Sequence, residues 1–239
     1  MTKSKIPAFM NWSGGKDSSL ALSRVIDSGE YDVRYLFTTV NELYGRVSMH
    51  GVREELLDKQ AESIGIPLVK CYLPADVTMS SYEDSMIAAL ESFRKEGITV
   101  AIFGDIFLED LREYREKKLS ESGFNAVFPL WKNDTSALVD EFIDSGFRAI
   151  VSAIDARFLD ESFAGRFIDR DFVGSLPEGV DPCGENGEYH SFVIDGPIFG
   201  APLRVRQGEK KLVEHDSESQ ESGGTHAAHS FWFCDILPE

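Results

Sequence analysis

Residues 10–22, MNWSGGKDSSLAL, carry the run Ser13-Gly14-Gly15-Lys16-Asp17-Ser18 between an apolar stretch and the first turn of an amphipathic helix. Two adjacent glycines let backbone N–H groups approach an anion closely, and the first turn of a helix adds free donors and the positive end of its dipole. The pattern is a phosphate cradle at the carboxyl end of a strand. It is not a Walker A loop: Met10 stands where that motif needs its first glycine, and Lys16 is followed by aspartate in place of Ser or Thr. Nor is it a GxGxxG dinucleotide turn.

Working outward from this loop, residues 1 to 130 alternate short apolar runs with helical patterns, the sign of a parallel sheet wrapped by helices. Strands are expected at 8–12, 33–40, 67–73, 99–103 and 125–128. Ala21, Leu22, Val25 and Ile26 make one helical face, Leu56, Leu57, Ala61 and Ile64 a second, Met86, Leu90 and Phe93 a third. Gly29 and Gly97 fall at expected helix ends, and Asp134 is placed to cap a further helix that carries Leu138, Val139, Phe142 and Ile143 and stops at Gly146. A strand should follow at 148–154. Beyond it the alternation weakens: 157–199 is rich in loops, and EKKLVEHDSESQESGGTHAAHS is polar and of low complexity before SFWFCDIL returns as a strand. Its Ser, Glu and Gly part is expected to form a flexible hairpin tip. The expected class is therefore α/β, a Rossmann-like parallel sheet flanked by helices over residues 1–130, with a smaller C-terminal α+β domain over 131–239 that contains a flexible acidic segment near 207–229.

Composition narrows the function classes. The 239 residues carry 41 acids against 24 Lys and Arg, a net charge of −17, which disfavours a nucleic-acid substrate because such binding rests on phosphate neutralisation by cations. No apolar run approaches a membrane span, and MTKSK before Pro7 has the character of neither a signal nor a transit peptide, so a cytoplasmic location is expected. Cys71, Cys183 and Cys234 are far apart and form no CxxC pair, which argues against a disulfide framework or a cysteine zinc site.

The run from Ser13 to Ser18 matches the PP-loop, SGGxDS, of the ATP pyrophosphatases, a superfamily related to the adenine nucleotide alpha hydrolases (the HUP type of fold). With His50-Gly51-Val52-Arg53, Gly104-Asp105-Ile106-Phe107-Leu108 followed by Arg112 and Arg115, and the run from Asp181 to Ser191, the chain resembles the diphthine-ammonia ligase family to about Phe199. That resemblance implies ATP as co-substrate with Mg2+, cleavage between the α and β phosphates, adenylation of a carboxylate, and amide formation with ammonia. It further implies a carboxylate acceptor on a translation elongation factor. The family run is close to EGGEYE followed by Thr; here it is Glu185-Asn186-Gly187-Glu188-Tyr189-His190-Ser191, with both carboxylates kept.

On these grounds the nucleotide is expected on Ser13, Gly14, Gly15, Lys16, Asp17 and Ser18, with His50, Gly104, Arg112 and Arg115 completing its site. Lys16 would meet the leaving pyrophosphate and Asp17 and Asp105 would hold the metal, an ion that prefers oxygen ligands. Lys16, Asp17, Asp105, Glu185 and Glu188 form the expected catalytic set. Each secondary site has a plainer alternative. His50 could be a solvated loop residue, and Asp105 could cap the next helix. Arg112 and Arg115 lie on the helical stripe marked by Leu108 and Leu119, so they should meet an anion there or pair with Glu109, Glu113 or Glu116. Gly184 and Gly187 would let a tight loop expose Glu185 and Glu188, or make a simple acidic turn. Cys183 lacks an assigned histidine, so covalent catalysis is disfavoured and the ammonia would be free. A PP-loop enzyme that modifies tRNA and a non-catalytic adenine-nucleotide binder are the other readings. A homodimer is the candidate assembly.

Overall fold

A computed structural model describes residues 4–47, 51–73, 79–215 and 229–239, the side chains of 79–84, 215 and 229 excepted. His50 and the acidic stretch 216–228 lie outside the described residues. Five parallel strands build the first sheet: β1 (Ile6–Asn11), β2 (Tyr31–Asn41), β4 (Leu68–Leu73), β5 (Val100–Ile102) and β6 (Asn125–Val127). The short β3 (Arg46–Val47) adds to β2 in the antiparallel sense. Helices α1 (Lys16–Ser28), α2 (Glu54–Ile64), α3 (Met79–Lys95) and α4 (Glu109–Glu121) connect them. In the spatial order β2-β1-β5, strand β1 is central, so the chain reverses direction across the sheet at its carboxyl edge, where such folds bind ligands.

After α5 (Thr135–Asp144) comes a four-stranded antiparallel sheet in the order β8-β7-β10-β9, formed by β7 (Arg148–Asp155), β8 (Tyr189–Asp195), β9 (Val205–His215) and β10 (His229–Pro238). A 3-10 turn at Glu161–Phe163 and the short α6 (Arg170–Gly174) precede β8. As expected, the Asp134 side chain caps α5, accepting the Ala137 N–H at 2.9 Å. Strand β9 was hidden by its composition: Glu209-Lys210-Lys211 reads as a solvated run, yet β9 is an edge strand whose exposed side tolerates such charge.

One apolar cluster joins the two sheets, since Met10, Leu22 and Leu56 belong to the same packed group as Ile150, Phe192 and Ile236. A second lies under α3 and α4, where Phe9 stacks on Phe93 at 4.6 Å between ring centroids. Burying each such side chain contributes about 1.5–3 kcal/mol. The helical faces hold except at one point: Ala21, Leu22 and Val25 are buried, whereas Ile26 is 44% exposed at the rim. Among the described residues no helix is long and apolar enough to cross a membrane.

Candidate functional site

The loop from Ser13 to Ser18 is shaped by what surrounds it. Gly14 adopts φ +76°, and a Cβ there would sit 2.7 Å from Oε1 of Gln60. Gln60, a fully buried polar residue of α2, donates from Nε2 to the carbonyls of Gly14 at 3.0 Å and Val193 at 2.6 Å, and its Oε1 accepts from Trp12 Nε1 at 2.9 Å. The Val193 N–H also donates to the Gly14 carbonyl at 2.9 Å. The second sheet is thus pinned directly to the loop. Gly104 serves the other side, because a Cβ on it would meet the Asp17 carbonyl carbon and the Ser18 nitrogen at 2.9 Å. Only a residue without a side chain lets the end of β5 lie against the start of α1.

Within the loop, the Ser13 hydroxyl accepts the Gly15 N–H at 3.2 Å, and the Ser191 hydroxyl of β8 accepts the Lys16 N–H at 3.1 Å. Lys16 is buried at 3% exposure; its ammonium donates to both Asp17 oxygens at 2.7 and 2.8 Å and lies 5.6 Å from the centre of the Tyr189 ring. Burial alone would lower the Lys16 pKa, but the charge and hydrogen bonds of Asp17, with Cys183 and Tyr189 nearby, outweigh it and the pKa is raised. Lys16 is a fixed positive charge at a helix N-terminus.

A cleft of about 730 Å³ opens over this charge, between the carboxyl edge of the first sheet and the loop before β8. Ser13, Lys16, Asp17, Ser18, Gly104, Asp105, Arg115 and Glu185 all line it, so most of the residues selected from the sequence do converge. Asp105 does not cap α4, whose N-terminal cap is Leu108; its carboxylate is bound by the Arg115 guanidinium, which also lies 4.6 Å from the Phe103 ring centre. On the arginine stripe Leu119 is buried whereas Leu108 is 48% exposed; Arg115 meets a carboxylate, Asp105, and Arg112 pairs with Glu116, the plainer alternative for it. Arg112 is absent from the cleft wall: it donates to Glu116 at 2.7 Å and lies over Phe128 and Trp131 at 5.0 and 4.5 Å. Among the described residues no group of three His, Cys, Asp or Glu side chains is arranged around a metal position.

The loop from Asp181 to Glu188 is wound around two carboxylates. Asp181 accepts the N–H groups of Cys183 at 2.8 Å and Glu185 at 3.2 Å. Glu188 accepts the Asp181 N–H at 3.0 Å, and the Asn186 N–H and side-chain amide at 2.9 Å each. Glu188 is 1% exposed and does not reach the cleft, contrary to the expectation that the loop displays both acids. It holds the loop together, and Asn186 adds a donor to it. Gly184, at φ +69°, would bring a Cβ within 2.8 Å of Tyr189. Glu185 alone of the pair faces the cleft. Burial, then the charge of Asp17 against an opposing Lys16, with Asp181 and Asp105 adding, raises its pKa to about 7. Cys183 is buried, its thiol donates to the Thr135 carbonyl at 3.3 Å, and burial pushes it up to about 12, which disfavours the thiolate a nucleophile needs.

Gln60, Ser191 and Tyr189 were missed as site residues by sequence reasoning, and only the apolar setting of Gln60 at helical spacing between Leu56, Leu57 and Ala61 could have flagged it. A second cavity of about 470 Å³ lies between α3 and α4, walled by Leu90, Leu119 and Tyr114, and it shares Asn11, Met86, Phe103 and Arg115 with the first.

Residues 7–126 match the diphthamide synthase N-terminal domain, and residues 134–219 match the diphthamide synthase C-terminal domain. A diphthine--ammonia ligase of Danio rerio is 25% identical over 231 residues, which cover 86% of this chain and 88% of the relative. The Homo sapiens protein of the same name is 26% identical over 240 residues, 87% of this chain and 85% of its own length. The Schizosaccharomyces pombe protein reaches 30% over 99 residues, 40% of this chain and 16% of the relative.

Proposed function

The chain belongs to the diphthamide synthase family, and from that premise we propose how its cleft carries out the reaction. The protein is an ATP-dependent amide ligase, using ATP and ammonia as its relatives named diphthine--ammonia ligase do. The observation that carries the assignment of roles is the buried, charged Lys16 at the start of α1, in the same cleft as Glu185.

The triphosphate lies over Ser13 to Ser18 at the positive end of α1. An oxygen of the acceptor carboxylate attacks the α phosphorus, the bond to the bridging oxygen breaks, and pyrophosphate leaves toward the Lys16 ammonium, which is already in place for the charge that develops. Ammonia then attacks the acyl carbon and AMP departs with its electron pair. Glu185, poised near neutrality, takes the proton that the new nitrogen must lose. Arg115 can exchange Asp105 for the acceptor carboxylate, and the cavity between α3 and α4 would admit the acceptor beside it. Magnesium needs only one or two carboxylates besides phosphate oxygens and water. Asp17 and Asp105, which both line the cleft, are the carboxylates that would hold it, giving up their bonds to Lys16 and Arg115, and the ion would shield phosphate charge. Residues 1–130 thus carry the ATP loop and the acceptor cavity, and 131–239 bring Glu185 to them. Diphthine on a translation elongation factor is the proposed acceptor, and a homodimer the proposed assembly, to be checked by sedimentation.

Chromatography of the products decides the central step. AMP and pyrophosphate should accumulate in the presence of acceptor and ammonium, whereas ADP would overturn the assignment. Lys16→Ala should lose about 10²-fold or more in single-turnover AMP release.

A further inference from the structure

Strand β10 lies beyond the residues matched by either family domain, yet it reaches the nucleotide cleft. Successive side chains of a strand point to opposite faces. Cys234 and Ile236 take one face and are buried in the core that joins the sheets. Phe231, Phe233 and Asp235 share the other. Phe231 lines the cleft. The Phe233 ring lies against Gly51, where an added Cβ would come within 2.6 Å of it. The Asp235 carboxylate crosses to the first sheet and accepts four hydrogen bonds from two arginines: Arg46 Nη1 and Nη2 at 3.1 Å each, Arg53 Nε at 3.1 Å and Nη2 at 2.7 Å.

Arg46 belongs to β3 and Arg53 stands at the N-terminal cap of α2, so one carboxylate ties the end of a strand to the start of a helix. Arg46 also donates to the Gly51 carbonyl at 2.5 Å, closing the corner. Val47, next to Arg46, lines the same cleft as Phe231. The node is partly shielded, with the Asp235 side chain 22% exposed. Burial works against its charge, but the hydrogen bonds and charges of Arg53 and Arg46 outweigh that and its pKa is lowered. Geometry of this kind, a forked guanidinium on each side of one carboxylate, fixes position as well as charge.

We propose that Asp235 is a positioning residue of the nucleotide cleft: by clamping Arg46 and Arg53 it holds Val47 in register with Phe231, and so sets the affinity for ATP rather than the rate of the chemistry. The proposal rests on ATP occupying this cleft. A wall that is not held must be ordered by the ligand at the expense of affinity, whereas Lys16 and Glu185 stay anchored by other elements.

The test uses the full chain with ATP and magnesium. Asp235→Asn keeps the shape but removes the charge; calorimetric titration should show ATP binding weakened about tenfold, while AMP release at saturating ATP stays within about threefold of wild type. Asp235→Glu should recover part of the affinity. Arg53→Gln, which leaves Arg46 on the carboxylate, should weaken ATP binding less, and Arg53→Gln with Asp235→Asn should fall short of the sum of the two effects. Arg53→Gln alone stands in if Asp235→Asn does not fold. A lowered melting temperature with unchanged ATP affinity would reduce the clamp to a structural role and overturn the proposal, as would a loss confined to turnover. Failure of wild type to bind ATP would instead refute the assignment of the cleft.

Discussion

Glu185→Gln should make the protein relatively more stable at alkaline pH while it slows amide formation. The carboxyl group has a pKa of about 7 in the folded chain against an ordinary 4.5, raised first by burial and then by Asp17. The folded state therefore holds this proton more tightly than the unfolded state does. Its contribution to stability is complete below 4.5 and disappears as pH rises through about 7. At 1.36 kcal/mol per pH unit the full effect is about 3 kcal/mol, which partial exposure to screening solvent reduces to about 1.5 kcal/mol. Urea denaturation of wild type and Glu185→Gln at roughly pH 5 and roughly pH 8.5 reads this directly, since glutamine does not titrate. The difference between variant and wild type should shift in the variant's favour by about 1.5 kcal/mol at the higher pH. At a fixed concentration of free ammonia, single-turnover amide formation should rise with pH through about 7 in wild type, and the variant should lose that inflection and be about 10²-fold slower. A stability difference independent of pH would refute the buried, repelled carboxylate. Normal turnover in Glu185→Gln would refute its role as proton acceptor.

Two further outcomes separate packing from chemistry. Glu188→Gln turns an amide NH2 toward the N–H donors of Asp181 or Asn186 and loses at least one charge-assisted bond, so it should cost about 1.5–3 kcal/mol by urea denaturation; wild-type stability with lost turnover would instead make Glu188 catalytic. Gly104→Ala must push a methyl into the backbone of Asp17 and Ser18, so it should cost about 1–3 kcal/mol and weaken ATP binding by calorimetry, and an unchanged affinity would mean that the loop tolerates the shift.

Local patterns carried much of the fold. The alternation of apolar runs with 3.6-residue periodicity marked the parallel sheet, and the loop from Ser13 to Ser18 marked its ligand edge, because both are properties of neighbours in sequence. Strand β9 escaped because an edge strand with a solvated face has the composition of a loop. Arg112 and Arg115 show the limit more sharply. Helical spacing put both on one stripe, but spacing is silent on what that stripe faces: one guanidinium meets Asp105 at the cleft and the other settles on Phe128 and Trp131 outside it.

By itself, then, the sequence determined the class of fold, the phosphate-binding loop with its Lys16, and the acidic loop that returns to it. Only the tertiary structure decided which of two acids in that loop faces the cleft. Glu185 and Glu188 are equivalent in type and three positions apart, yet the turn at Gly187 sends Glu188 inward to three N–H donors and leaves Glu185 beside Asp17 and Lys16. It likewise brought Gln60 and Ser191 to the loop from Ser13 to Ser18, and Asp235 from the last strand to Arg46 and Arg53. Protonation, burial and hydrogen-bond partners are set by groups distant in the chain, and no local pattern encodes which of those will be close.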